Sequence, residues 1–70
     1  MQEQTRSAIA LWRLPTVKQV TGLGRTSIYE RMKNEEFPQS ISLGGPMVAW
    51  VSTEVLAWVD QQIEASRKAG

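Results

Sequence analysis

Val20-Thr21-Gly22-Leu23-Gly24-Arg25-Thr26-Ser27-Ile28-Tyr29 is the stretch that decides the fold. Gly22 suits the left-handed residue that closes a helix, and Gly24 is an acceptable N-cap for the next. Leu23 between them is predicted to pin the turn into the core, so that two short helices meet as a helix-turn-helix. Upstream, Leu14-Pro15-Thr16 reads as a helix start. Thr16 can cap and Gln19 can complete a capping box, which gives a first helix over about 16–21. Val17 and Val20 form its apolar edge. Downstream, Ser27 and Glu30 offer a second capping register. Ile28 and Met32, four apart, define the buried stripe of a second helix through about Asn34 or Glu35. Pro38 prevents continuation beyond Phe37.

Beyond Pro38 the period changes. Ser40-Ile41-Ser42-Leu43 alternates polar and apolar residues, as a half-buried strand does. Gly44-Gly45-Pro46 is a turn, and Met47-Val48-Ala49-Trp50-Val51 is a second strand, so residues 40–51 read as a β-hairpin. Ser52 or Thr53 then caps a last helix running to about Ser66, with Val55, Leu56, Val59 and Ile63 as its apolar stripe. Glu54 at its start and Arg67 and Lys68 at its end complement the helix dipole. The order helix, helix, hairpin, helix predicts a mostly α winged helix-turn-helix over residues 12–67. Residues 1–11 are expected to be a fraying N-terminal tail and 68–70 a short C-terminal one.

Composition narrows the function. Seventy residues make one small domain, which buries only about 60% of its unfolded surface. There is no cysteine, which excludes disulfides, iron–sulfur clusters and thiol nucleophiles and fits a reducing cytosol. There is no histidine, so the usual general base is missing and a zinc site would need carboxylates alone. No nucleophile–base pair can be assembled, and neither an enzyme nor a cofactor is expected. Glu35-Glu36, and Asp60 with Glu64, read as solvated surface rather than a metal site. The longest apolar run, Ala8-Ile9-Ala10-Leu11-Trp12, is far short of the ~20 residues that span a bilayer. The net charge of +1 hides a segregation. Residues 13–33 sum to +4 and residues 34–66 to −5, so one surface attracts polyanions and another does not.

Several separated motifs resemble one family. Arg13-Leu14-Pro15 and the Val20–Tyr29 stretch are followed by Glu36-Phe37-Pro38, Leu43-Gly44-Gly45, Val48-Ala49-Trp50 and Glu54-Val55-Leu56-Ala57-Trp58. In this order they resemble the AlpA family of prophage regulators, over about residues 12–67. The resemblance implies a winged helix similar to those of excisionases and MerR-type regulators. It also implies a cytoplasmic, nucleoid-associated bacterial protein that binds double-stranded DNA and controls mobile-element genes, such as integrase or excision functions. The chain departs from the family pattern at Gly24, where a serine is usual. It also has Glu30, Gln39-Ser40 and Pro46 where basic residues are common.

In a helix-turn-helix the second helix enters the major groove. With Ile28 and Met32 inward, Thr26, Glu30, Lys33 and Asn34 point outward, Ser27 and Arg31 lie on one flank and Tyr29 on the other. Two roles compete for Arg25: a contact to guanine or phosphate, and packing of its stem on apolar surface. Thr26 and Ser27 can donate to phosphate beside the free amides of the first turn, or act as caps. Tyr29 either packs at the rim or touches sugar and base. Lys33 and Arg31 are phosphate partners or solvated, and Arg13 and Lys18 sit on the helix that crosses the backbone. Glu30 repels phosphate, so a pairing with Arg31 or Lys33 is expected. In the wing, Ser42, Gly44 and Gly45 can offer hydroxyl and amide donors, against a hairpin that only closes the core. Trp12, Trp50 and Trp58 are expected in or beside the core rather than as stacking platforms.

Three functions are therefore weighed. The first is a sequence-specific regulator, the second an excisionase-like architectural protein that bends DNA. The third is a protein-interaction module that has lost DNA binding, motivated by the missing basic residues. A lone 70-residue reader covers few base pairs, so paired sites with self-association or cooperative binding are expected, and no membrane or small-molecule partner.

Overall fold

The computed structural model describes residues 9–69. The order of elements is β1 (Leu11–Trp12), α1 (Leu14–Thr21), α2 (Arg25–Lys33), β2 (Ile41–Gly44), β3 (Met47–Val51) and α3 (Ser52–Ala69). The winged helix-turn-helix layout stands as expected, with three helices around a small antiparallel hairpin. The expected fraying of Met1 to Ala8 lies outside the described residues, as does Gly70.

The sequence reading missed β1. Leu11 pairs with Val51 and Trp12 with Trp50, so the hairpin becomes a three-stranded sheet in the order β1-β3-β2. The Ala10 N–H donates to Ser52 Oγ at 2.8 Å, and the Ser52 N–H donates to the Ala10 carbonyl at 2.8 Å. Ala10 and Leu11 are thus tied to the domain rather than belonging to a tail. Two residues are too short a strand to leave a periodic signal. At the other end, α3 runs through Lys68 to Ala69, past the expected limits at Ser66 and residue 67.

α1 begins two residues earlier than expected. Arg13 is its N-cap, the Val17 N–H donates to the Arg13 carbonyl at 3.1 Å, and Pro15 sits within the first turn. Proline is compatible there because its missing N–H has no intrahelical partner to lose. Thr16 is therefore inside the helix, and its expected capping box with Gln19 is displaced. Gly22 ends α1 at φ 78°, with its N–H on the Lys18 carbonyl at 2.8 Å. Thr21 Oγ1 donates to the Val17 carbonyl and accepts from the Leu23 N–H, which fixes the turn between the helices. Gly24 caps α2 as expected. Ser27 is interior, so its capping register with Glu30 is not used. Glu35, at φ 60°, ends this segment, and the Glu36 N–H reaches back to the Arg31 carbonyl at 2.7 Å.

Val17 of α1, Ile28 of α2, Trp50 of β3 and Val55 of α3 form the buried core with Phe37 from the segment between α2 and β2. Leu23 and Met32 pack against it. Val20 is 38% exposed, because α1 turns only one narrow edge inward. Ile41 and Leu43, read as the buried side of a half-buried strand, are both exposed, since β2 is an edge strand with no helix over that side. Of the stripe predicted for α3, Val55 is fully buried, whereas Leu56 and Ile63 are exposed. Eighteen residues span about 27 Å, and every residue from Asp60 to Lys68 is exposed beyond the core.

Candidate nucleic-acid interface

The second helix is built from its buried side outward. Ile28 is fully buried in the core, and half-buried Met32 packs on it one turn later. Thr26, Glu30, Lys33 and Asn34 are exposed, with Ser27, Tyr29 and Arg31 half-buried at the flanks, so the predicted faces of α2 are those observed. Arg25, Thr26, Tyr29, Glu30 and Lys33 line an open, shallow concavity of about 360 Å³ on the solvent side.

Both flanks are held by aromatic contacts. The Tyr29 ring meets the buried Trp50 ring edge-on, with centroids 6.1 Å apart. Over Tyr29 lies the Arg25 guanidinium, 5.1 Å from the ring centroid. Arg25 and Tyr29 are four apart, so one helical turn stacks them. Neither of the two roles predicted for Arg25 included this cation–π contact, although the i, i+4 spacing was available to indicate it. On the opposite flank, Arg31 Nε donates to Ser27 Oγ at 3.3 Å, and its guanidinium lies 5.9 Å from the Trp58 ring centroid. Arg31 thus engages Ser27 and Trp58 rather than the expected Glu30. Trp58 is fixed in turn by its Nε1–H donating to the Glu36 carbonyl at 2.8 Å and by an edge contact with Phe37 at 4.9 Å.

The tryptophans are packing residues, as expected: Trp50 is fully buried, and Trp12 and Trp58 are half-buried against the core. Gly24 has no side chain to cap α2, and the first helical hydrogen bond is Ile28 N–H to the Gly24 carbonyl at 3.0 Å. The amides of Arg25, Thr26 and Ser27 precede that bond and project from the helix start, where the dipole favours an anion. Arg13 and Lys18 are both exposed on α1 and its cap.

The wing differs from expectation at one donor. The Gly44 N–H donates to Ser42 Oγ at 3.2 Å, so this amide is already engaged within the hairpin. Gly44 and Gly45 have φ of 112° and 55°, the left-handed conformations that this tight turn requires. Among the described residues, no group of three or more potential ligands that could hold a metal occurs. No helix among them is long and apolar enough to cross a membrane.

Residues 10–63 match the family described as Prophage CP4-57 regulatory protein (AlpA). The chain belongs to the AlpA family. An AlpA-family relative, DNA-binding transcriptional activator AlpA of Escherichia coli K12, is 35% identical over 63 residues. That alignment covers 81% of this chain and 90% of the relative. ORF88 of Enterobacteria phage P4 is 48% identical over 58 residues, covering 83% of this chain. The chain spans 65% of the length of the phage relative. No solved structure matches.

Proposed function

We propose that this AlpA-family chain is a sequence-specific regulator of prophage or mobile-element genes that binds double-stranded DNA with α2 in the major groove. The observation that carries this reading is the outward face of α2. Arg25, Thr26 and Lys33 are exposed there on one side, Arg25 and Thr26 at a helix start whose amides are free of side-chain caps and Lys33 in the last turn. Arg25 reads guanine or clamps phosphate, and Thr26, Ser27 and Tyr29 add polar contacts to the backbone. Arg31 and Lys33 neutralise phosphates along one strand, and Lys18 and Arg13 do so where α1 crosses it. Of the wing donors, the Ser42 hydroxyl hydrogen and the Gly45 amide contribute to phosphate binding. The E. coli relative's role as an activator supports transcriptional control as the outcome. Integrase and excision genes are the proposed targets, and the protein acts on nucleoid DNA in the bacterial cytoplasm.

A salt series tests this. Neutralising about four phosphates gives a slope of log affinity against log salt near −3.6. Amide shifts in an NMR titration with a random-sequence duplex should centre on Arg25 to Lys33, with Lys18. A slope of zero with no shifts in α2, in a folded protein, would sink the reading.

A further inference from the structure

The side of α2 opposite its buried stripe carries a carboxylate. Ile28 and Met32 set the inward direction. At about 100° per residue, Glu30 stands almost diametrically opposite their midpoint. Thr26, Tyr29, Glu30 and Lys33 follow one another at i, i+3, i+4 and i+7, and all four line the open concavity on the solvent side. This is the ridge spacing with which a recognition helix in the major groove meets base edges. Glu30 is exposed within that ridge. It is also the only acidic residue between Glu3 and Glu35, in the segment that otherwise supplies the cations.

Its charge is not absorbed by a neighbour. Arg31 is committed to Ser27 Oγ at 3.3 Å and to the Trp58 ring. The Arg25 guanidinium lies over the Tyr29 ring. Glu30 makes no ion pair with any of the described residues. A carboxylate in this position weakens the attraction to phosphate, so a helix that bound DNA through its charge alone would be better without it.

We propose that Glu30 is a specificity-determining residue that accepts a hydrogen bond from the N4 amino group of a cytosine, an inference that rests on the reading of α2 as the DNA-facing helix. An ionised carboxylate can only accept. In the major groove guanine shows two acceptors, and thymine shows one beside its methyl group, so both oppose the carboxylate with lone pairs. Adenine offers its N6 amino group but sets the N7 acceptor next to it. Cytosine alone presents a donor with no acceptor of its own alongside. Glu30 thus admits one base by a bond and rejects the others by repulsion, while lowering the attraction for DNA at large. Arg25, which can only donate, has the converse preference for guanine.

Selection from a randomised duplex library, followed by anisotropy titrations on single-base variants of the selected site, tests this. Glu30 is exposed, and Gln and Ala both suit a helix, so Glu30→Gln and Glu30→Ala keep the fold. Wild-type protein should select cytosine at one position, and replacing that base should weaken binding about 5- to 150-fold. Glu30→Gln should select adenine there instead, because a carboxamide pairs with N6 and N7 together. Glu30→Ala should lose the preference at that position and keep it at the others. Both variants should bind a random-sequence duplex severalfold more tightly than the wild type, with the gain shrinking as salt rises. A selected site that is the same for all three proteins, or a preference lost equally at every position, would overturn the role of Glu30. In that case, a selected base lost in Arg25→Ala would leave the DNA-facing reading of α2 standing. Failure of the folded wild-type protein to bind any duplex would overturn both.

Discussion

The Arg25 guanidinium carbon lies 5.1 Å from the centroid of the Tyr29 ring, one turn further along the same helix. The same ring meets the buried Trp50 ring edge-on. A cation at the DNA-facing surface is thereby connected through two aromatic rings to the most buried part of the domain. An arginine with long rotamer freedom is restricted before any ligand arrives, which lowers the entropy lost on binding.

Tyr29→Leu removes both aromatic contacts while keeping an apolar side chain at the rim. The loss of the edge contact with Trp50 and of the cation–π contact should reduce stability by about 1–2 kcal/mol. Urea denaturation followed by tryptophan fluorescence measures this. Duplex affinity should fall as well, because Arg25 regains its freedom, whereas a purely structural Tyr29 would leave the affinity of the folded variant unchanged.

Arg25→Ala and Lys18→Ala should separate base reading from phosphate binding. For Arg25, losing a bidentate base contact weakens binding to the preferred site by about 5- to 150-fold and relaxes sequence preference. For Lys18, binding weakens similarly on all sequences and the salt slope becomes less steep by about 0.9. Anisotropy titrations at several salt concentrations distinguish the two patterns.

Two left-handed helix ends predict opposite signs. Gly22 has φ 78° and no heavy atom close to where a Cβ would stand, so Gly22→Ala is penalised by backbone conformation alone, by about 1 kcal/mol. Glu35 adopts φ 60° with a side chain in place, so Glu35→Gly should stabilise by up to about 1 kcal/mol. Thermal denaturation of the two variants tests the pair.

Ser52 is 2% exposed and its hydroxyl accepts the Ala10 N–H. Ser52→Ala leaves that amide without its partner, which should destabilise by about 1–3 kcal/mol. Hydrogen exchange at Ala10 and Leu11 should accelerate more than exchange in α2. Equal acceleration throughout would mean that β1 does not open separately from the domain.

The helix-turn-helix was legible because its signals are local. Gly22 provides the left-handed conformation, Gly24 the cap, and the four-residue spacing of Ile28 and Met32 sets which side of α2 faces inward. The outward positions of Thr26, Glu30 and Lys33 follow from that same geometry. Capping was less legible. Thr16, with Gln19 to complete its box, and Ser27 are competent caps by type, but Pro15 allowed α1 to begin at Leu14, and Ser27 became a partner of Arg31. The stripe predicted for α3 went wrong at Leu56 and Ile63, because periodicity reports which residues share a face and not whether anything lies opposite it.

The order of elements, the turn between α1 and α2, the segregation of charge and the solvent face of the second helix were determined by the sequence itself. Each depends on interactions within a few residues, where spacing and residue type dictate geometry. Only the tertiary structure decided that Leu11-Trp12 pairs with β3, that Ser52 joins Ala10, and that Tyr29 lies between Arg25 and Trp50. Those contacts join residues distant along the chain, and their partners are selected by packing around Trp50.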